Sequence, residues 1–182
     1  MGGVIMICHT DSYERSCFSF RRDINFWEHR TSLRSAARFS GSTIIHGALL
    51  LTGGHNGYDV TSRTQIVTDG RVVTGPNLLG PRYHHCVVNL HDGRFLVVGG
   101  KSHYYDPGLL TSEFHDLKTG SSHYGPPLIS VRIDPACVHF HSPLHNNRTV
   151  VLIFGKYKDS GSQFKVQVID FTQPLATWNW CK

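Results

Sequence analysis

Histidine is the residue type that most invites a chemical role here, because thirteen of the 182 residues are histidines. His139 and His141 lie two apart, and in a strand this spacing places both imidazoles on one face, as half of a metal site would require. His84 and His85 are adjacent and therefore point to opposite faces. No third ligand with suitable spacing follows, and Asp134 is a weak candidate. We therefore expect structural or channel-facing histidines, with no metal and no other cofactor.

Catalytic motifs are the second place to look for chemistry. The sequence contains no GxSxG elbow, no P-loop and no GxGxxG fingerprint. Serine, histidine and aspartate are too frequent in the predicted loops to select a catalytic triad. The sequence therefore predicts no catalytic residues and a protein that is not an enzyme.

Three predicted loops, residues 55–62, 101–111 and 156–164, combine aromatic side chains with cations. The candidate partner-binding residues are His55, Tyr58, Lys101, His103, Tyr104, Tyr105, Lys156, Tyr157 and Lys158. Such residues anchor protein interfaces, because they bury a large area and lose little conformational entropy. The alternative is that the tyrosines pack beneath their own loops. The segment from Lys101 to Tyr105 is the strongest candidate, because it contains two adjacent tyrosines, a histidine and a lysine and is followed by turn residues.

Each of these loops follows a glycine that ends an apolar segment. The segments are LLLTGG, FLVVGG and VLIFGK, and a further glycine pair lies at positions 2 and 3. The repeat glycines are Gly2, Gly3, Gly53, Gly54, Gly99, Gly100 and Gly155. The second glycines lie at 3, 54, 100 and 155, with Gly155 counted as the last, so the intervals are 51, 46 and 55. A period of this size indicates a repeat architecture.

Every interval carries the same order of signals. The alternating segments, which indicate half-buried strands, are Cys17–Phe20, Arg63–Val67, Ser112–Asp116 and Val166–Asp170. The aromatic or apolar residues that follow them are Trp27, Val73, Tyr124 and Trp178. The arginines near the starts of the next units are Arg38, Arg82 and Arg132. This order of signals therefore predicts four short strands in each unit.

This order resembles the kelch repeat, which has an arginine near its start, a glycine pair after its second strand and a tryptophan in its fourth. The resemblance covers nearly the whole chain and implies an all-β fold, a kelch-type β-propeller of four-stranded antiparallel blades. Glycine lets the backbone approach the next blade closely, and tryptophan would fill the wedge between blades. In such blades the loops between the second and third strands share one rim with the links at 28–37, 76–81 and 126–131.

Kelch propellers typically serve as scaffolds or substrate receptors. The resemblance therefore implies a non-catalytic protein–protein interaction module whose partner is another protein of unknown identity. The alternative is an enzyme propeller similar to galactose oxidase, a copper enzyme built on kelch-like blades. No recognisable motif matches the paired tyrosine and histidine ligands of that enzyme, so this alternative depends on analogy of fold.

Length limits the number of blades. At about 50 residues per blade the chain suffices for roughly three and a half blades, whereas propellers usually have about four or more. We interpret residues 1–35 as the outer half of a blade and residues 36–80, 81–130 and 131–182 as whole blades. We therefore expect an incomplete propeller, a fragment of a larger protein, with open blade faces available for self-association. A short protein that closes its ring with a second copy is the alternative.

Composition and charge restrict the partners further. With 40% hydrophobic residues, 17% charged residues and no long apolar run, the sequence predicts no membrane span and no disorder. The net charge is +5, and the densest basic stretch contains Arg21, Arg22, Arg30, Arg34 and Arg38. Acidic residues interrupt it and no stacking motif accompanies it, so we expect solvated loops and strand edges and no nucleic acid.

The five cysteines lack metal-binding spacing. Cys86 and Cys137 occupy the same place in successive units, either as small buried residues or as disulfide partners. No signal peptide is recognisable, and one N-glycosylation triplet begins at Asn147. Cytoplasmic and secreted locations therefore both stay open.

Overall fold

The computed structural model describes residues 5–11, 13–68, 70–142, 148–155, 166–171 and 176–181. Within these residues the chain forms strands and no helix. The strands are β1 (Met6–Cys8), β2 (Ser16–Arg21), β3 (Phe26–Ser32), β4 (Gly41–Ile45), β5 (Ala48–Thr52), β6 (Thr64–Thr68), β7 (Arg71–Thr74), β8 (Cys86–Asn89), β9 (Arg94–Val98), β10 (Ser112–Asp116), β11 (Ser122–Tyr124), β12 (Ala136–Ser142), β13 (Arg148–Phe154), β14 (Gln167–Asp170) and β15 (Asn179–Trp180). The described residues therefore include no helix that is long and apolar enough to cross a membrane.

The strands form four antiparallel sheets, which we call blades 1 to 4. They consist of β1–β3, β4–β7, β8–β11 and β12–β15, in that order along the chain. Within each blade the strands are paired in sequence order. The loop between the second and third strands of a four-stranded blade therefore lies on the same rim as the link to the next blade. The expected boundaries after residues 35, 80 and 130 fall in these links.

Strand β9 shows how the alternation of the sequence builds the core. Phe95 and Val97 pack towards blade 2, whereas Leu96 and Val98 pack towards blade 4. Successive side chains of a strand point to opposite faces, so a strand buried on both faces is apolar throughout, as RFLVV is after its first residue. Blade 3 therefore has an apolar interface on each side.

One apolar cluster fills each of the three interfaces between blades. Cys17, Leu33 and Leu51 belong to the cluster between blades 1 and 2, and Trp178 closes the one between blades 3 and 4. The first strands of blades 2, 3 and 4, which are β4, β8 and β12, lie beside one another. Sheets stacked face to face with their first strands around a common axis form a β-propeller, and the all-β prediction is therefore confirmed.

Blade 1 differs from the interpretation of residues 1–35 as two outer strands. Its sheet has three strands, and β1 pairs with β2 from Met6 to Cys8. Strand β1 comes after positions 2 and 3 in the chain, so the second strand of this blade follows Gly2 and Gly3 instead of preceding them. These two glycines lie outside the described residues. The glycine period obscured β1 because no glycine pair follows it.

The glycine pairs of blades 2 and 3 lie where the kelch-like pattern placed them, directly after the second strand. Gly100 has a φ of 87°, and a Cβ there would lie 2.5 Å from the backbone oxygen of Tyr83. Gly155 is equivalent to the first glycine of a pair, because Arg132 donates to its oxygen as Arg82 does to that of Gly99. Counting Gly155 as a second glycine was therefore wrong by one position.

One repeated position escaped the sequence analysis. Gln65, Glu113 and Gln167 occupy the same place in the third strands of blades 2, 3 and 4. Each side chain accepts a hydrogen bond from a backbone N–H of the preceding link, over 2.8 Å in all three blades. The side chain at this position therefore holds the preceding link in place, and the oxygen of an amide or of a carboxylate can do so.

The predicted fourth-strand residues differ in burial. Trp178 is buried between blades and donates its indole N–H to the oxygen of Pro126 over 3.1 Å, as a wedge-filling tryptophan should. Trp27 and Tyr124 are exposed, so neither fills a wedge. In blade 2 the core residue is Val72, not Val73.

Four cysteines form two disulfide bonds. Cys86 is bonded to Cys137 across blades 3 and 4, with Cα atoms 6.0 Å apart, which selects the disulfide alternative for this pair. The two cysteines do not occupy the same place in their blades, because the strand register makes Ala136 the equivalent of Cys86. Cys8 is bonded to Cys17 between neighbouring strands of blade 1, at a Cα separation of 4.0 Å. The second bond was not predicted, because only the register of β1 against β2 brings these cysteines together.

Candidate binding site at one rim

Two short β-bridges build the rim on which the candidate residues lie. Arg38 pairs with His55, and Tyr83 pairs with Lys101. In each bridge the backbone amides exchange two hydrogen bonds of 2.8–3.0 Å. Each joins a residue of a link to the residue that follows a glycine pair. Successive repeats therefore present one side chain from the link and one from the loop side by side.

These bridges correct the assignment of Arg38 as a repeat arginine. Because Arg38 and Tyr83 are equivalent, Ala37 occupies the place of Arg82. Arg82 is buried and donates to the oxygen of Gly99 over 3.0 Å, whereas Arg38 is displaced by one residue and lies at the rim. The sequence pattern of the links is irregular, so a shift of one residue in a link cannot be recognised from the sequence.

The rim encloses a cavity of about 950 Å³. Five of the predicted residues line it together: His55, Tyr58, Lys101, His103 and Tyr104. They come from loops of blades 2 and 3, and Ile133 of the next link completes the wall. A cavity of this volume is large enough for a small molecule or for several side chains of a protein partner.

A row of three equivalent link residues lies at the inner edge of the site, where Phe39 and His84 line the cavity. Phe39, His84 and Asp134 all have a positive φ, of 58°, 53° and 51°. Their backbones are joined in order, because His84 N–H donates to Phe39 and Asp134 N–H donates to His84, over 2.9 and 3.0 Å. The rings of Phe39 and His84 stack with centroids 4.4 Å apart, and His84 Nδ1 forms a hydrogen bond with the carboxylate of Asp134. These hydrogen bonds connect the links that lead into blades 2, 3 and 4, at one end of the propeller axis.

The rim tyrosines that the structure describes do not pack beneath their loops. Tyr58, Tyr104 and Tyr105 are 90%, 77% and 87% exposed. The rings of Tyr104 and Tyr105 meet edge to face with centroids 5.1 Å apart. The Nζ of Lys101 donates to the backbone oxygen of Tyr104 over 2.6 Å, so the cation also supports the loop.

Asp106 anchors this tyrosine-bearing loop from behind. Its carboxylate accepts hydrogen bonds from the backbone N–H groups of Ser102 and Gly108, each over 2.8 Å. The hydroxyl of Ser102 also donates to this carboxylate. Burial opposes ionisation, but the hydrogen bond from that hydroxyl, followed by those from the two backbone N–H groups, outweighs it and lowers the pKa of Asp106. The loop therefore has a fixed base and an exposed aromatic tip, which is a favourable arrangement for binding.

Some predicted rim residues are placed differently or lie beyond the description. Tyr105 contacts Tyr104 but does not line the cavity. Lys156, Tyr157 and Lys158 lie outside the described residues. The residues that the sequence analysis missed are Arg38, Phe39, Asp59, Val60, Tyr83, His84, Ser102 and Ile133. Several belong to links, where no aromatic–cation run marked them.

The histidines have separate environments. His84 lines the cavity, whereas His85 is buried and its Nε2 lies 2.9 Å from the hydroxyl of Thr52. Burial, followed by the nearby charges of Arg82 and His84, lowers the pKa of His85 to about 3. His139 lies beside His91, with ring centroids 5.1 Å apart. Among the described residues no three histidine, cysteine, aspartate or glutamate side chains are grouped as metal ligands.

Comparison with known proteins adds information on the fold. No family model matches the sequence, and no curated protein matches it. The arrangement of sheets recurs in the solved structure of YjhT, with a TM-score of 0.77 over the whole of this chain at 14% sequence identity. The fold is a β-propeller fold. This chain spans 62% of the length of the YjhT chain. Because 157 chains of known structure match, the likeness indicates an architecture and not an activity.

Proposed function

We propose that this chain is a non-catalytic protein-interaction module of the kelch type and that it binds its partner through the rim described above. The observation that carries the proposal is the pair of exposed tyrosines, Tyr58 and Tyr104, on two blades beside one cavity. Aromatic rings on a rigid scaffold bury a large area with little loss of entropy. Lys101 and Arg38 add charge beside these rings.

The kelch assignment is part of the proposal. It is supported by the glycine pairs Gly53–Gly54 and Gly99–Gly100 after second strands, and by the wedge position of Trp178. Kelch propellers typically act as scaffolds or substrate receptors, so this assignment favours a protein as the partner.

The test is a comparison of Tyr104→Ala and Tyr105→Ala with the unchanged protein. Proteins cross-linked to each variant in an extract of the source cells are identified by mass spectrometry, and the affinity of the main partner is then measured by calorimetry. We expect each substitution to weaken binding by about 1 to 2 kcal/mol or more, and the thermal melt to stay unchanged.

Phe26→Ala provides the matched control. Phe26 is an exposed aromatic residue at the start of β3, next to the turn on the opposite rim, so its loss should leave partner binding intact. Equal binding by all variants, with unchanged melting temperatures, would contradict a partner site at this rim.

We further propose self-association through the outer face of blade 4. In blade 3 the residues Cys86, Val88, Leu96 and Val98 pack against blade 4. Their equivalents, given by the strand register, are Ala136, Val138, Leu152 and Phe154. Val138 and Phe154 are 43% and 45% exposed. A face with the residues of an inter-blade interface is suited to pack against another blade.

The occupant proposed for this face is blade 1 of a second copy, whose own outer face exposes Ile5 and Ile7. Two copies joined head to tail at both contacts would form a closed ring, within the usual range of about four to eight blades. Sedimentation should show a dimer that Val138→Glu converts to a monomer. A monomer at high concentration in the unchanged protein contradicts the proposal.

A further inference from the structure

A serine, a histidine and a glutamate form a hydrogen-bonded chain across the outer strands of blade 3. The Oγ of Ser122 lies 2.7 Å from Nδ1 of His115, and Nε2 of His115 lies 2.9 Å from the carboxylate of Glu113. Serine and histidine are too frequent in this chain for the sequence to select such a set. The strand register selects it, because His115 of β10 and Ser122 of β11 lie directly opposite each other.

The pairing of these two strands also orients the backbone of Ser122. The N–H of Asp116 donates to the oxygen of Ser121 over 2.9 Å, so these two residues form a hydrogen-bonded pair. Such pairs alternate with non-hydrogen-bonded pairs along an antiparallel ladder, and His115 with Ser122 is therefore of the second kind. Side chains are closest in a non-hydrogen-bonded pair. The N–H of Ser122 points away from β10, towards the outer edge of the blade.

The hydrogen bonds determine which nitrogen of His115 carries the hydrogen. Burial opposes ionisation of Glu113, but the hydrogen bond with His115 and the charge of Arg82 lower the pKa of this carboxyl. An ionised carboxylate can only accept, so a neutral His115 carries its hydrogen on Nε2. Its Nδ1 then accepts the hydroxyl hydrogen of Ser122. A serine whose hydroxyl donates to an imidazole that a carboxylate orients is the arrangement that activates a nucleophile.

The base is rigid and shielded, whereas the serine can be reached from solvent. The rings of Phe95 and His115 stack with centroids 4.8 Å apart and planes inclined by 8°. Glu113 is held in turn by its ion pair with Arg82. The side chains of His115 and Glu113 are 0% exposed, and Ser122 is partly exposed. A small reagent can therefore approach the hydroxyl while the imidazole stays in place.

We propose that Ser122 is a nucleophilic serine that takes up an acyl group from small activated esters. Its Oγ forms a bond to the carbonyl carbon, and the hydroxyl proton passes to Nδ1 of His115. The bond to the leaving oxygen then breaks, and the leaving group departs with that proton. The N–H of Ser122 can donate to the carbonyl oxygen as negative charge develops there.

This inference goes beyond the proposed function, because it concerns a covalent modification of the chain and a different place in the fold. Ser122 begins β11, next to the turn on the rim opposite the cavity.

The test incubates the folded protein with p-nitrophenyl acetate, which transfers an acetyl group and releases p-nitrophenolate. Mass spectrometry of the digested protein should find the acetyl group on Ser122 of the folded chain but not of the chain unfolded in urea, because only the fold brings His115 to this hydroxyl. If water then cleaves the ester, release of p-nitrophenolate that Ser122→Ala removes supports the proposal equally. His115→Gln should slow the reaction about a hundredfold.

Ser121→Ala is the matched control. Ser121 is the neighbouring exposed serine, and its hydroxyl is hydrogen-bonded to that of Thr119 over 2.8 Å, so its loss should leave the rate unchanged. Thermal melts show whether each variant folds. If His115→Gln does not fold, the comparison of Ser122 with Ser121 in the unchanged protein decides. The proposal is overturned by equal acetylation of the two serines, by equal acetylation in urea, or by the absence of both acetyl-Ser122 and Ser122-dependent release.

Discussion

The guanidinium of Arg82 and the carboxylate of Glu113 form an ion pair that is almost completely buried, with side-chain exposures of 2% and 0%. Arg82 belongs to the link between blades 2 and 3, and Glu113 belongs to β10. His115 and the N–H of Leu79 complete the surroundings of the carboxylate, over 2.9 and 2.8 Å. Burial opposes ionisation, but the hydrogen bond with His115 and the charge of Arg82 lower the pKa of Glu113.

The first prediction concerns the loss of one partner of this pair. Arg82→Met should reduce the free energy of unfolding by about 3 to 5 kcal/mol, because the charge of Glu113 is then buried without its cation. Adding Glu113→Gln should restore most of that loss, since glutamine already holds the link at positions 65 and 167. Urea unfolding of the two variants measures both effects.

An exposed ion pair provides the control for that experiment. Arg94 is paired with Asp92 at the surface, over 2.5 Å. Arg94→Met should change the free energy of unfolding by less than about 1 kcal/mol. If Arg82→Met were equally mild, the buried pair would not stabilise the link as argued.

The second prediction concerns Gly100, where both space and backbone angle exclude a side chain. Gly100→Ala should reduce the free energy of unfolding by at least about 2 kcal/mol, because its Cβ would collide with Tyr83 and its φ is positive. Gly80→Ala is the matched control, since nothing lies within 4 Å of its Cβ position and its φ is ordinary. Gly80→Ala should stay within about 1 kcal/mol of the unchanged protein. Equal losses in the two variants would show that the close approach is unimportant.

The glycine period and strand alternation predicted repeated units of four short strands, and the resemblance to the kelch repeat then implied the fold and the rim. A close approach such as that of Gly100 to Tyr83 requires glycine. A strand that lies between two interfaces requires a run of apolar residues. Both requirements can therefore be recognised in the sequence. Four residues that line the cavity were predicted as one site because each lies in a loop after a glycine pair. They are His55, Tyr58, Lys101 and Tyr104.

The rest of the structure depends on contacts that no local sequence pattern indicates. Arg38 lines the cavity only because its link is shifted by one residue relative to that of Arg82. The stack of Phe39 on His84 joins residues 45 positions apart through a shared positive φ. Cys8 meets Cys17 only through the register of two strands. Composition and spacing do not encode these three-dimensional coincidences.

The third prediction compares the two disulfide bonds. In the chain-entropy description a cross-link stabilises more when it closes a longer loop. The pair Cys86–Cys137 spans 51 positions and the pair Cys8–Cys17 spans 9. Replacing both cysteines by alanine should therefore cost roughly 4 kcal/mol for the first pair and about 2.5 kcal/mol for the second. Urea unfolding of the two double variants without reductant tests the order.

Alkylation of the intact protein provides the check for that comparison. Cys86 and Cys137 should resist iodoacetamide until a reductant is added. Modification of both cysteines in the folded, unreduced protein would contradict the inter-blade bond, and a larger loss for the Cys8–Cys17 pair would contradict the loop-length argument.

The last prediction concerns acid and His85. Its imidazole is buried beside Gly41 and Thr52, and it remains neutral because its pKa is lowered from 6.5 to about 3, first by burial. As the pH falls below about 6.5, the unfolded chain takes up a proton at this residue and the folded chain does not. Stability contributed by the neutral imidazole is therefore complete above pH 6.5 and falls by up to about 1.4 kcal/mol per pH unit towards pH 3.

His85→Gln removes this titration and keeps a side chain that can accept from the hydroxyl of Thr52. Its free energy of unfolding should fall less steeply than that of the unchanged protein between pH 6.5 and pH 5, where carboxylates contribute little. His123→Gln is the control for replacing an imidazole by an amide, because His123 is exposed. Urea unfolding at half-unit pH intervals gives the slopes. Parallel curves for His85→Gln and the unchanged protein would show that the buried imidazole does not couple folding to protons.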